Sequence, residues 1–146
     1  MNKGVLSINK GKDTLLKCPV APKYLNDNAK KHYKKMGDYL STIERLKNIY
    51  LPALEVYAES MAMWEFAISE IKRKNIEKYG TGYIQTFLSG AKNISVEVTL
   101  KEKAIDDILK CCKIFGLDPK SEKELKSENS GQYSLFEELI KKKNNG

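Results

Sequence analysis

Three stretches of the chain carry apolar residues at the spacing of one helix face. In residues 27–40, apolar positions recur at intervals of four, three and four, which predicts a helix with one buried stripe. Asn26 comes just before this stretch and is a suitable N-cap, because its side chain can accept a hydrogen bond from a free backbone N–H. The stripe consists of Ala29, Tyr33, Met36 and Leu40.

The longest periodic stretch spans about residues 49–74. Pro52 is tolerated only in the first turn of a helix, so this helix should begin just before it. Large apolar residues then alternate at intervals of four and three, the spacing of a coiled-coil seam. A second edge of mostly small residues would let another helix approach closely. The helix is therefore either central in a monomeric bundle or shared with other subunits. The seam consists of Leu54, Tyr57, Met61, Trp64, Ile68 and Ile71.

The second half of the chain predicts shorter elements. Residues 83–88 indicate an extended stretch that turns at Ser89 and Gly90, and residues 96–115 predict a third helix. Gly116 supplies a left-handed residue at its end, with Leu117 making the accompanying apolar contact. Asp118 and the proline after it are typical of the start of a short fourth helix, about residues 119–126.

The two ends of the chain predict separate behaviour. Residues 1–17 have no period and indicate a flexible basic arm, and residues 127–132 indicate a polar linker. Ser134 and Glu137 form a capping box that opens a final helix of about ten residues. Such a helix is marginal alone in water, so it must dock on its own body or on a partner. Its candidate docking residues are Leu135, Phe136, Leu139 and Ile140.

Together these patterns predict a mainly α fold. It is a helical bundle with a long central helix, a short extended hairpin-like segment and a small C-terminal amphipathic helix. The predicted organisation is an arm over residues 1–17, a helical body over 18–126, and a linker with a docking helix over 127–146.

Positive charge is confined to the front of the chain. The first 47 residues hold 11 Lys or Arg against 4 Asp or Glu, whereas residues 48–146 hold 15 against 15. A local excess of this kind indicates where a polyanion can bind, although most lysine faces are only solvated surface. The four lysines opposite the stripe of the first helix, together with their basic neighbours, are the candidate DNA-binding residues. They are Lys23, Lys30, Lys31, Lys34, Lys35, Arg45 and Lys47.

The sequence offers no pattern for catalysis, a metal or a cofactor. His32, the single histidine, lies among lysines, and no glycine-rich phosphate loop is present. Three cysteines make neither a disulfide framework nor a zinc site, and at least one of Cys111 and Cys112 is expected to be a buried apolar residue. The missing catalytic patterns indicate a protein that is not an enzyme. No apolar stretch has the length of a membrane span or a signal peptide, so a cytoplasmic protein without a membrane partner is expected.

Four groups of residues resemble, in order, the small subunits of phage terminases. The first is Cys18-Pro19 with Tyr24-Leu25, Ala29-Lys30 and Tyr33. The second is Leu54-Glu55-Val56-Tyr57-Ala58 with Met63-Trp64. The third is Gly82-Tyr83-Ile84-Gln85-Thr86 with Gly90, and the fourth runs from Phe115 to Ser121. The resemblance covers about residues 18–126. The sequence departs from the family pattern at two places. The family often has a proline near Ile94 and an arginine near Glu122.

The resemblance implies a subunit that binds viral duplex DNA, assembles as a ring and presents the genome to a large ATPase and nuclease subunit in the host cell cytoplasm. It also implies that the helical body over 18–126 is the DNA-binding and oligomerisation domain, and that the seam is shared within and between subunits. Two further expectations follow from charge and position rather than from a matched motif. The front lysines should contact phosphate, and the last helix should be a dock for the large subunit or the portal. The alternative is a monomeric helical adaptor that binds a protein partner through its C-terminal helix.

Overall fold

The computed structural model describes residues 8–9, 13–120, 139 and 141–143. It confirms a mainly α fold with a long central helix and a small hairpin. Strands β1 (Ile8–Asn9) and β2 (Thr14–Leu15) precede helix α1 (Asp27–Thr42), and a 3₁₀ turn (Asn48–Tyr50) leads into helix α2 (Leu51–Glu77). Strands β3 (Ile84–Thr86) and β4 (Lys92–Ile94) form an antiparallel hairpin before helix α3 (Val96–Ile114).

Helix α1 forms as the sequence predicts. The Asn26 side chain accepts a hydrogen bond of 2.8 Å from the backbone N–H of Ala29, which confirms the N-cap. All four residues of the predicted stripe are buried. Gly37 lies beside them, and a Cβ there would collide with Sγ of Cys18 and come within 3.2 Å of Leu54. The glycine therefore lets the segment before α1 and the start of α2 both pack closely on this helix.

Helix α2 lies at the centre and contacts both other helices. It begins one residue before Pro52, in agreement with the prediction. One side meets α1, where His32 pairs with Glu65. Another side meets α3, where the Tyr57 ring packs edge-on against Phe115, with 6.2 Å between ring centroids.

The α2–α3 pair is antiparallel. Tyr57, near the start of α2, contacts Phe115 at the end of α3. Lys74, near the end of α2, pairs with Glu97 in the first turn of α3 at 2.5 Å. These two contacts fix the relative direction and register of the helices along their common length.

The β3–β4 hairpin is anchored at its base and exposed beyond it. Asn75 of α2 accepts hydrogen bonds from the backbone N–H groups of Gly80 and Gly82 through its Oδ1. The Ser95 hydroxyl donates to the Gly82 carbonyl at 2.8 Å. A Cβ at Gly82 would collide with the carbonyl of Ile71, so only glycine permits this approach. All six strand residues are exposed.

The end of α3 confirms the predicted stop signal. Gly116 has a φ of +73°, and the Leu117 N–H donates to the Cys112 carbonyl at 2.9 Å. The Leu117 side chain is buried in the core. Residues 119 and 120 are helical, and the rest of the predicted fourth helix lies outside the described residues.

The structure differs from the predicted flexible arm near residue 15. Thr14 and Leu15 are buried, and the Leu15 N–H donates to the Leu46 carbonyl at 2.6 Å. The Asn48 N–H likewise donates to the Asp13 carbonyl. A strand of two or three residues is too short to show a period in the sequence. The predicted boundary at residue 17 therefore assigned Thr14 and Leu15 to the arm, although they pack on the helical body.

The seam is used mostly within the chain. Leu54, Tyr57 and Ile71 are buried, and Met61 and Trp64 are partly buried against the core. Ile68 remains 38% exposed. The predicted central position of this helix in a bundle therefore holds for the single chain.

We expect Leu54→Ala to lower the free energy of unfolding by about 3 kcal/mol, because Leu54 is fully buried where α2 packs against the core. Val20, which is 95% exposed, provides the control: Val20→Ala should change it by less than about 0.5 kcal/mol. Urea denaturation followed by circular dichroism measures both values. A loss for Leu54→Ala no larger than that of the control would contradict the assigned core.

Candidate nucleic-acid interface

The lysine face of α1, defined as Lys30, Lys31, Lys34 and Lys35, is held outward by the burial of the opposite stripe. Residues advance by about 100° along a helix, so fixing Ala29, Tyr33, Met36 and Leu40 in the core fixes where the lysines point. Three of the lysines are exposed and Lys30 is partly buried. The structure thus places these four predicted residues together on one side of the molecule.

Acidic neighbours offset part of this charge. The Lys34 ammonium donates to Asp38 at 2.5 Å, and this hydrogen bond raises the pKa of Lys34 above its ordinary value. Both side chains are well exposed, so the pair adds little stability and a phosphate can compete for the lysine. Asp27, in the first turn, is the other acidic residue on α1. The face retains a net positive charge with both carboxylates counted.

The remaining predicted cations have other surroundings. Lys23 is exposed in the segment before α1. Arg45 and Lys47 lie beyond the C-terminal end of α1 and are partly buried. The Arg45 guanidinium donates to the Gly116 carbonyl at 2.5 Å, and the Lys47 ammonium lies 5.5 Å from the Tyr50 ring centroid. Both therefore have contacts within the fold, which the lysine face largely lacks.

His32 lies at the edge of α1 and pairs with Glu65 of α2. Tyr24, just before α1, donates its hydroxyl to Glu55 of the same helix. These contacts tie both the start of α1 and the segment before it to α2. The lysine face is consequently carried on a braced helix rather than on a loop.

The cysteines are structural. Cys111 and Cys112 are both buried, which confirms the sequence interpretation. Burial raises the pKa of Cys111 to about 11, with Asp107 adding to the effect, and that of Cys112 to about 12. Burial, with Asp38 contributing, raises the pKa of Cys18 to about 11. All three thiols are protonated at neutral pH and are poor nucleophiles.

Of the four candidate docking residues at the C-terminus, the structure describes Leu139. Its side chain is partly buried and packs against the core, while Lys141, Lys142 and Lys143 are helical and exposed. Leu135, Phe136 and Ile140 lie outside the residues whose side chains are described. The Leu139 contact favours docking of this helix on its own body.

One exposed apolar surface of α2 was not predicted from the sequence. Val56, Met63 and Phe66 are all exposed, at 49%, 37% and 59%. Their spacing of seven and three residues places them on one face of the helix, distinct from the seam, and this spacing could have predicted the surface from the sequence.

A comparison with protein families supports the resemblance drawn from the sequence. The family model described as phage terminase, small subunit, matches residues 29–132. The chain belongs to the phage terminase small-subunit family. No curated protein and no solved structure matches this terminase small subunit. Membership gives it a role in phage DNA packaging, and the family implies DNA and a large subunit as partners in general.

The described part of the terminase subunit shows neither a membrane span nor a metal site. None of its helices combines the length and the apolar character needed to cross a membrane. Across the same residues, no group of three or more histidine, cysteine or carboxylate side chains is arranged to hold a metal ion.

We expect the free energy of unfolding to decline once the pH rises past about 9. The folded-state pKa values of Cys111 and Cys112 are raised, so folding disfavours their thiolates. Their stabilising contribution is complete below the ordinary thiol pKa and is lost as pH rises toward the folded values. Urea denaturation at a series of pH values measures this decline.

The variant Cys111→Ala with Cys112→Ala is the comparison. It should be less stable at neutral pH but should show a shallower decline above pH 9 than the natural chain. An equal decline in both proteins would assign the effect to other groups, such as the tyrosines.

Proposed function

We propose that this terminase small subunit binds viral duplex DNA through the lysine face of α1, assembles as a ring, and presents the genome to the large ATPase and nuclease subunit in the host cell cytoplasm. The observation that carries the proposal is the outward lysine face on a helix whose other side is locked in the core. A rigid helix presents its charges to a phosphate backbone without the entropic cost of ordering a loop.

The geometry favours phosphate contact. Lys30 and Lys35 are five residues apart, or about 7.5 Å along the helix axis at 1.5 Å per residue. Duplex DNA carries a charge about every 1.7 Å along its axis, so roughly four phosphate charges fall in that length. Lysine ammonium groups act there as point charges, which position DNA without reading its bases.

Single-stranded DNA fits the surface less well. Binding of single strands relies on aromatic side chains on which bases stack. Tyr33, which lies between the lysines in sequence, is buried and faces the core. The Tyr24 hydroxyl is bonded to Glu55. The lysine face therefore offers charge rather than stacking platforms.

Assembly multiplies this charge. The chain has a formal net charge of +7, and all of that excess lies within its first 47 residues. A ring of identical subunits repeats the lysine face at regular angles, which produces a stronger and longer-range field than one copy. The absence of catalytic motifs in the sequence agrees with ATP hydrolysis and cleavage residing in the large subunit.

Replacing Lys31 and Lys35 with glutamine should weaken binding to a labelled duplex and reduce its dependence on salt. The slope of log K against log salt should fall in magnitude by about 0.9 for each phosphate that the variant no longer neutralises. Fluorescence anisotropy over a range of salt concentrations measures the slope.

The matched control is Lys103→Gln with Lys110→Gln, which removes the same charge from two exposed positions on α3. The slope of this control should stay close to that of the natural chain. Equal slopes for both double variants would show that only total charge matters and would remove α1 as the binding surface.

Deletion of residues 134–146 tests how the C-terminal helix is used. Because Leu139 packs against the core, we expect the truncated protein to melt at a lower temperature. An unchanged melting temperature with loss of co-purification with the large subunit would instead assign the helix to partner docking. Differential scanning calorimetry and affinity co-purification give the two readouts.

A further inference from the structure

Helix α2 has three sides, and within the described part of the chain α1 and α3 cover two of them. Leu54 and Glu65 lie on the side that meets α1. Tyr57 lies on the side that meets α3, and Ala67 and Ile71, both buried, lie within about 80° of it around the helix. At about 100° per residue, the remaining third of the helix carries Val56, Met63 and Phe66, which we call the open face.

The hairpin carries a second exposed apolar group. We define the hairpin patch as Tyr83, Ile84, Phe87, Leu88 and Ile94, all of which are exposed. The anchors of the hairpin, Asn75 and Ser95, act only at its base. A two-stranded hairpin with no covered face is marginal in water, so its tip lacks the support that strands normally have.

We propose that the hairpin patch of one copy packs on the open face of α2 in the next copy. This inference rests on the ring of the proposed function. A ring closes through a head-to-tail contact, in which each subunit contributes two different surfaces. The open face and the hairpin patch are two such surfaces on one chain, and the occupant of each is a second copy of this chain.

The two surfaces have opposite charges. The open face continues into Glu59, Glu70 and Glu77, with Arg73 among them. Lys74 has the same helical angle as Val56, but its charge is paired with Glu97 of α3. Arg73 pairs with both Glu70 and Glu77, at 3.1 and 3.0 Å, which leaves this side net negative. Residues 80–95, which contain the hairpin, hold one charged residue, Lys92. A positive hairpin therefore meets an acidic rim.

The apolar area is also sufficient. Eight large side chains, most of them about half exposed and Leu88 fully exposed, offer on the order of 100 Å² apiece, since a large aromatic side chain presents about 150–250 Å². The total of about 800 Å² falls within the apolar part of a standard interface, roughly 700–1,300 Å².

The test compares two double variants by light scattering at concentrations where the natural chain assembles. The hairpin variant is Phe87→Glu with Leu88→Glu, and the face variant is Met63→Glu with Phe66→Glu. All four positions are exposed, so both variants should fold, and circular dichroism melting curves check this. The control is Val20→Glu with Ile49→Glu, which alters two exposed apolar residues outside both surfaces.

We expect each variant alone to have the mass of a monomer, while the control assembles like the natural chain. A mixture of equal amounts of the two variants should give a species of twice the monomer mass. In that mixture, the intact hairpin of the face variant can bind the intact face of the hairpin variant, but no further contact can form. Recovery of a dimer on mixing distinguishes a specific hairpin-to-face contact from a non-specific loss of association caused by the lower apolar surface.

Three results would overturn the inference. If the natural chain remains a monomer at the highest soluble concentration, no second copy occupies these surfaces. If either variant still assembles, the ring of the proposed function stands but its contact lies elsewhere. If both variants are monomeric and their mixture stays monomeric, the hairpin does not meet the open face. Salt titration of DNA binding by the monomeric variants reports on the lysine face separately.

Discussion

The packing of two helices on different sides of α2 is the constraint on which the rest of the structure depends. Leu54 and Tyr57, buried near its start, join α1, α2 and the end of α3 in a single core. The antiparallel register with α3 is closed at the far end by Lys74 and Glu97. Helix α2 is longer than both α1 and α3. The hairpin follows the end of α2, and its strand residues are exposed outside this core.

This arrangement separates the surfaces of the molecule by task. Burial of the α1 stripe points the lysine face outward. Helix α2 holds α1 through Glu65 and the segment before α1 through Glu55. The open face and the hairpin patch lie on α2 and on the hairpin, within the part of the chain that has no net charge. Keeping these surfaces apart has a physical advantage, because a contact that brought the lysine faces of two copies together would be repulsive.

The sequence predicted the elements that depend on local chemistry. The stripe of α1, the Asn26 cap and the stop at Gly116 each follow from a short pattern with one physical meaning, and each is confirmed. The pairing of Leu15 with Leu46 could not be predicted, because backbone hydrogen bonds between distant segments leave no period. The seam and the edge of small residues together predicted that α2 needs more than one neighbour, but only the folded chain shows which residues α1 and α3 leave uncovered.

The central claim is that duplex DNA binds on the lysine face of α1. Acetylation of lysines in the presence and absence of duplex DNA, followed by mass spectrometry, measures the protection of each ammonium group. The account predicts that DNA protects Lys31, Lys34 and Lys35, while Lys103 and Lys110 on α3 react at unchanged rates. Protection of the α3 lysines with the α1 lysines still reactive would contradict it.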